Sequence, residues 1–126
     1  MDNLYIQETT SSPSINFNAQ THIHSIKGDS YPDHLSNFYD PITIWLENYI
    51  ENLNEKATFN VELRYFNSSS SKILIDIFDA FDEAVHDGKE ISVNWIFEEG
   101  DEAIEEYGEE FAEDMEHLEF NIVAKQ

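Results

Sequence analysis

The apolar positions of this chain alternate between two periods, one of two residues and one of three to four, and the switches between them mark out its elements. Leu4-Tyr5-Ile6-Gln7-Glu8 is a short strand candidate closed by Thr9-Thr10-Ser11-Ser12-Pro13. Ser14-Ile15-Asn16-Phe17-Asn18 alternates apolar and polar, and His22 to Lys27 can pair with it across Ala19-Gln20-Thr21. Gly28-Asp29-Ser30-Tyr31-Pro32 is expected to break the strand and open a turn. From Leu35 to Leu53, Phe38, Ile42, Trp45, Leu46, Tyr49, Ile50 and Leu53 recur at helical spacing, the face of an amphipathic helix that ends near Asn52 and Asn54. Pro41 sits inside it and suggests two pieces, a short turn before Asp40 and a longer run with Pro41 in its first turn.

Ala57 to Phe66 is the strongest strand, with Ala57, Phe59, Val61, Leu63 and Tyr65 on one face and Thr58, Asn60, Glu62 and Arg64 on the other. After it, Ile73, Leu74, Ile77, Phe78, Phe81, Ala84 and Val85 form a wide helical stripe that stops at Asp87-Gly88. Ile91, Val93, Trp95 and Phe97 alternate as a strand. A third helix succeeds the turn at Glu98 to Asp101, with Ile104, Tyr107, Phe111 and Met115 inward, and Leu118, Phe120, Ile122 and Ala124 alternate in a last strand. The order β-β-β-α-β-α-β-α-β predicts an α/β fold: a mixed β-sheet, parallel in its later part, with helices packed on it. No linker or internal repeat divides residues 1–126, so a single domain is expected.

Composition narrows the function classes. Six Lys and Arg stand against 27 Asp and Glu, a formal net charge of -21. Such a chain is repelled by phosphate backbones and anionic lipid, so neither a nucleic acid nor a membrane surface is an expected partner. Aromatic residues make up 13% of the chain, which with the periodicities favours a folded domain over an acidic disordered one. There is no cysteine, which removes disulfides, thiolate metal sites and thiol catalysis. No secretory signal or bilayer-length apolar run is visible, so a cytoplasmic protein is expected.

The candidate chemistry lies between the best strand and the second helix, in Asn67-Ser68-Ser69-Ser70-Ser71-Lys72. Hydroxyls there can cap the free N–H groups of the helix. They can equally present a phosphorylatable oxygen, whose phosphate those N–H groups, the helix dipole and Lys72 would favour. Capping needs one such residue, Asn67 or Ser68, and leaves the others unexplained. The carboxylates between Glu98 and Glu119 read first as a solvated helix face, second as a docking face for a basic partner; no Asp-x-Asp-x-Asp-Gly calcium loop is present. His22 and His24 share a strand face but have no evident third ligand, and His34, His86 and His117 are scattered. No zinc-protease, phosphate-loop or dinucleotide motif appears, so no catalytic residue, cofactor or metal site is expected.

Gly28-Asp29-Ser30-Tyr31-Pro32, Phe38-Tyr39 through Trp45-Leu46, Leu63-Arg64-Tyr65-Phe66-Asn67-Ser68-Ser69-Ser70, and Val93-Asn94-Trp95 with Glu109-Glu110-Phe111 resemble the SiaC family of bacterial regulatory phosphoproteins. The resemblance covers nearly the whole chain, and the Tyr-Pro and Tyr-Phe-Asn-hydroxyl-Ser-Ser blocks are its most specific parts. It implies a STAS-like, non-enzymatic partner-switching protein. A serine/threonine kinase phosphorylates one hydroxyl before the helix, and a PP2C-type phosphatase removes the phosphate. The unphosphorylated form binds and activates a diguanylate cyclase, raising cyclic di-GMP and promoting biofilm. By position the acceptor is Ser68. The family often has threonine there, and Ser69, Ser70 and Ser71 remain alternatives. Tyr31, Pro32, Asn67, Ser68, Ser69 and Lys72 are the expected partner-binding residues. The rival readings are an acidic metal-binding module using the C-terminal carboxylates, and a constitutive adaptor whose serines only cap.

Overall fold

In the computed structural model, which describes residues 1–126, the strands are β1 (Leu4–Ile6), β2 (Ser14–Phe17), β3 (Ile23–Ser30), β4 (Ala57–Phe66), β5 (Ile91–Glu98) and β6 (Glu119–Lys125). The helices are α1 (Leu35–Glu51), α2 (Ser68–His86) and α3 (Glu102–Glu113), in the order the hydrophobic pattern predicts. The strands form one sheet in sequence order, antiparallel from β1 to β3 and parallel from β3 to β6. Each parallel crossover advances one strand in the same direction, so the right-handed rule puts all three helices on one face. Burial agrees. Phe17, Ile26, Phe59, Val61, Val93 and Trp95 share one core cluster with Ile42, Leu46, Leu74, Phe78, Ile104 and Phe111 of the helices.

The opposite face has no helix. Across it runs an amide ladder, in which Asn121 donates to Asn94 (3.0 Å) and Asn94 to Asn60 (2.9 Å). Side-chain amides that satisfy one another let a solvent-facing row of a parallel sheet stay polar without losing cross-strand contact.

Four local expectations are corrected. Gly28 to Ser30 do not break β3 but continue it, through a bulge: Gly28 pairs with Leu63 and Asp29 with Tyr65, so Arg64 is skipped. Gly28 has φ +131°, and a Cβ there would lie 2.8 Å from Glu8 Oε2. The bulge reverses the phase of β4, turning Phe66 inward and leaving Tyr65 54% exposed. Helix α1 is continuous through Pro41. The Asn37 carbonyl that Pro41 cannot serve belongs to an exposed residue, where water can reach it, and the buried face instead uses Tyr39, Ile42, Leu46 and Tyr49.

In α3 the inward residue is Gly108, not the half-exposed Tyr107. Gly108 lies flat against the fully buried Trp95, and a Cβ there would collide with the indole, 2.7 Å from its Nε1. The Trp95 indole N–H donates to the Ile104 carbonyl at 2.9 Å, so helix and strand are tied at the point of closest approach.

Candidate functional site

Strands β3 and β4 are parallel neighbours and end together, Ser30 opposite Phe66. The segments leaving the two strands are therefore juxtaposed: Tyr31 and Pro32 after β3, and the serine run after β4. The carboxyl ends of parallel strands are where α/β sheets commonly present their ligand-facing loops. The Asn67 N–H donates to the Ser30 carbonyl (3.1 Å) and holds the two ends together.

Asn67 is the N-cap of α2. Its backbone is extended (φ -88°, ψ 176°) and its side-chain oxygen accepts from the Ser70 N–H at 2.9 Å, while its carbonyl accepts from the Ser71 N–H at 2.9 Å. Asn67 thus supplies the cap without any serine hydroxyl. The N–H groups of Ser68 and Ser69 remain as open donors of the first turn, and that turn carries no acidic residue in a chain with 27 of them.

The serines are not equivalent. Ser68 and Ser69 are exposed and Ser71 is half-buried. Ser70 has no exposed surface; its Oγ is 2.8 Å from Ser30 Oγ, which is 2.5 Å from the Tyr39 hydroxyl. This three-hydroxyl cluster ties α2, β3 and α1 beneath the rim, and burial pushes the Tyr39 phenol up from its ordinary value. Among the four candidate acceptors, Ser70 is therefore sealed by packing and committed to hydrogen bonding.

Lys72 lies four residues after Ser68 and three after Ser69, which places it on their side of the helix, and it is exposed. Tyr31 is 37% exposed and Pro32 partly so, and the Tyr31 ring meets Tyr65 edge-to-face at 5.6 Å. Tyr65 is the rim residue that strict alternation hides: only the bulge brings it out beside Tyr31. A signal for it exists in the adjacent aromatics Tyr65-Phe66, which cannot both face the core of an unbroken strand. Next to it, Arg64 reaches Glu8 Oε2 at 2.8 Å and Asp29 Oδ2 at 3.4 Å, anchoring the bulge on the open face.

The other candidates disperse. In α3, Glu102, Glu105, Glu106, Glu109, Glu110 and Glu113 point away from the core, and nowhere do three or more His, Asp or Glu side chains converge as a metal site would require. His22 and His24 converge on one hydroxyl, that of Tyr49, although His22 lies just outside the strand. His22 precedes β3 at φ 61°, with Nε2 2.7 Å from Glu55 and Nδ1 2.5 Å from the Tyr49 hydroxyl. His24 is fully buried; Nδ1 accepts from the Asn18 N–H (3.0 Å) and Nε2 lies 2.9 Å from the same Tyr49 hydroxyl. Since Nδ1 accepts, neutral His24 carries its proton on Nε2 and donates to Tyr49. Burial, with a smaller effect from His22, pushes His24 down to about 4. The pair forms a structural hydrogen-bond chain.

Comparison with known proteins matches this architecture throughout. The model of the SiaC family regulatory phosphoproteins matches residues 6–125. A chain in the crystal structure of diguanylate cyclase SiaD in complex with its activator SiaC, from Pseudomonas aeruginosa, superimposes with TM-score 0.92 at 32% identity, covering 97% of this chain and 99% of that one. Apo-SiaC from the same organism superimposes with TM-score 0.85 at 28% identity, each chain covered completely. An uncharacterised protein of P. aeruginosa strain UCBPP-PA14 is 32% identical over 114 residues, 90% of each sequence. With a family match over nearly every residue and a six-stranded sheet and three helices in common with solved SiaC, the chain belongs to the SiaC family of regulatory phosphoproteins.

Proposed function

We propose that residues 1–126 act as one non-enzymatic phosphorylation switch whose acceptor is Ser68 on the rim of α2. The observation that carries this is the division of labour in the turn: Asn67 caps the helix, Ser70 is built into the core, and Ser68 stands exposed at the first helical position. A phosphate on Ser68 adds about -1.5 to -2 charges beside open N–H donors, the positive end of the helix and Lys72. The total charge of -21 hardly changes, so the switch acts locally. Ser69, exposed one residue later, is the second-ranked acceptor.

The unphosphorylated rim, with Tyr31, Pro32, Asn67, Ser68, Ser69 and Lys72, and with Tyr65 added from the geometry, binds and activates a diguanylate cyclase. This matches the role of SiaC in its complex with SiaD. Cyclic di-GMP and biofilm formation are then the outputs. Tyr31 and Tyr65 supply an amphipathic aromatic contact, and a phosphate between them and Lys72 blocks it by charge and volume. A serine/threonine kinase writes the mark and a PP2C-type phosphatase erases it.

Incubation with a cognate kinase and ATP, followed by intact mass and peptide mapping, tests the assignment. Wild-type protein gains one phosphate on Ser68, Ser68→Ala gains none yet still binds cyclase, and Ser68→Asp binds it at least about tenfold more weakly, the effect of one buried charge mismatch. Uptake of one phosphate by Ser68→Ala overturns the assignment to Ser68, and peptide mapping then locates the acceptor among Ser69, Ser70 and Ser71. No phosphorylation under any condition leaves a constitutive adaptor.

A further inference from the structure

Strand β6 is an unprotected edge. The sheet ends on one side in β1, only three residues long, and on the other in the seven residues Glu119–Lys125. Edge strands are normally blunted by proline, a bulge, shortness or charged side chains, and β6 carries charge only at its two ends, Glu119 and Lys125. β6 has no proline, its register with β5 is unbroken from Glu119 to Lys125, and its sequence Glu-Phe-Asn-Ile-Val-Ala-Lys is rich in strand formers. Its N-terminal approach is held firmly: Asp82 of α2 accepts from the N–H groups of His117 and Leu118, both at 2.8 Å.

The direction of its free hydrogen-bonding groups is set by one contact. The Lys125 carbonyl accepts from the Glu99 N–H at 3.2 Å, on the β5 side. In a parallel ladder both polar groups of a residue face the same neighbour, and alternate residues face opposite ways. Glu119, Asn121, Val123 and Lys125 are therefore bonded to β5, and the N–H and C=O groups of Phe120, Ile122 and Ala124 point outward. We propose that this edge is a homodimer interface, in which β6 pairs antiparallel with β6 of a second copy about a two-fold axis at Ile122.

The choice of occupant rests on self-complementarity. A two-fold at Ile122 sets Ile122 against Ile122, Phe120 against Ala124, Asn121 against Val123, and Glu119 against Lys125 of the second copy. The outward-pointing residues fall in hydrogen-bonded pairs, and the charged residues fall opposite in non-hydrogen-bonded pairs, where Cα atoms approach to about 4.5 Å. On the helix side, the half-buried Phe120 and Ile122 gain an apolar neighbour. One glutamate and one lysine leave the strand neutral within a chain of charge -21, so the edge itself does not repel its copy. Lys125 reaches inward across β5 to Glu62 at 2.9 Å and Glu119 accepts from the Asn121 amide at 3.2 Å; both contacts are exposed, and pairing exchanges them for Glu119–Lys125 contacts between the copies. The two acidic α3 helices fall on the same side of the continuous sheet. Their repulsion opposes pairing, and added salt screens it.

Sedimentation equilibrium of the full chain from micromolar to millimolar concentration tests the interface. Wild-type protein shows a monomer–dimer equilibrium that shifts toward dimer as salt is raised. Lys125→Glu makes both symmetry-related pairs like-charged and weakens dimerisation by about tenfold, and Glu119→Lys with Lys125→Glu restores it. Ile122→Pro removes an outward N–H and remains monomeric; circular dichroism verifies its fold, and the charge swap decides if it does not fold. A wild-type chain that stays monomeric throughout, or a Lys125→Glu chain that dimerises as wild type, overturns the proposal.

Discussion

Four consecutive serines in this chain occupy different environments, and substitution should separate them. Ser70→Ala removes a hydroxyl from the buried Tyr39–Ser30–Ser70 cluster and should cost about 1–3 kcal/mol in urea unfolding, since Ser30 loses a partner where water cannot replace it. Ser68→Ala removes an exposed hydroxyl with no capping duty and should stay within about 0.5 kcal/mol of wild type. Equal losses at both positions would contradict the division drawn between them. His24 supplies a pH test. An unfolded histidine titrates near 6.5, and the buried one is pushed down to about 4, so the unfolded chain binds more protons between those values. The contribution of His24 is thus fully present above pH 6.5 and is lost as pH falls toward 4, by about 3 kcal/mol at most. His24→Asn or His24→Gln, compared with wild type across that window, should show a flatter stability profile. The rim itself was legible in the sequence because hydroxyls, Asn67 and Lys72 are local neighbours. The sealing of Ser70 was not, because Ser30 and Tyr39 reach it from two other elements.

Elements declared themselves by periodicity wherever one face is buried and the other wet, as in β4 before its bulge and in α2 throughout. Expectation failed where a distant partner sets the phase. Tyr65 and Phe66 exchange faces because Arg64 is skipped opposite Gly28 and Asp29, a register fact carried by β3 rather than β4. Pro41 fits within α1 because the carbonyl it leaves unpaired, that of Asn37, faces water, which depends on how the helix is rotated against the sheet. Gly108 counts as inward only once Trp95 is known to lie beneath it. Gly108→Ala would gain about 1 kcal/mol of helix propensity. The collision of its Cβ with Trp95 should outweigh that gain, for a net loss of about 1–3 kcal/mol from overpacking, read as a lower thermal midpoint. A raised midpoint would mean that α3 can lift off Trp95 without cost. A Cβ on Gly88 meets nothing within 4 Å, so Gly88→Ala tests backbone strain (φ +107°) without a clash.

Across the whole molecule, polarity is segregated by the one-sided sheet. The helices carry 13 of the 27 acidic residues, the open face carries the asparagine ladder with Lys27, Arg64 and Lys125, and the serine rim lies at the edge shared by the ends of β3 and β4. A net charge of -21 implies self-repulsion, so moderate salt should raise the unfolding midpoint rather than lower it. The family was legible from sequence blocks dispersed along nearly the whole chain. The site was legible only as a short run of candidates, because exposure is a property of packing. The most direct measurement of the central claim is quantitative cyclase binding by wild-type protein before and after kinase treatment, with the modified residue mapped in the same sample. The account predicts one phosphate, on Ser68, and loss of binding that returns on phosphatase treatment. Cyclase binding unchanged in a sample fully phosphorylated at Ser68 would contradict it.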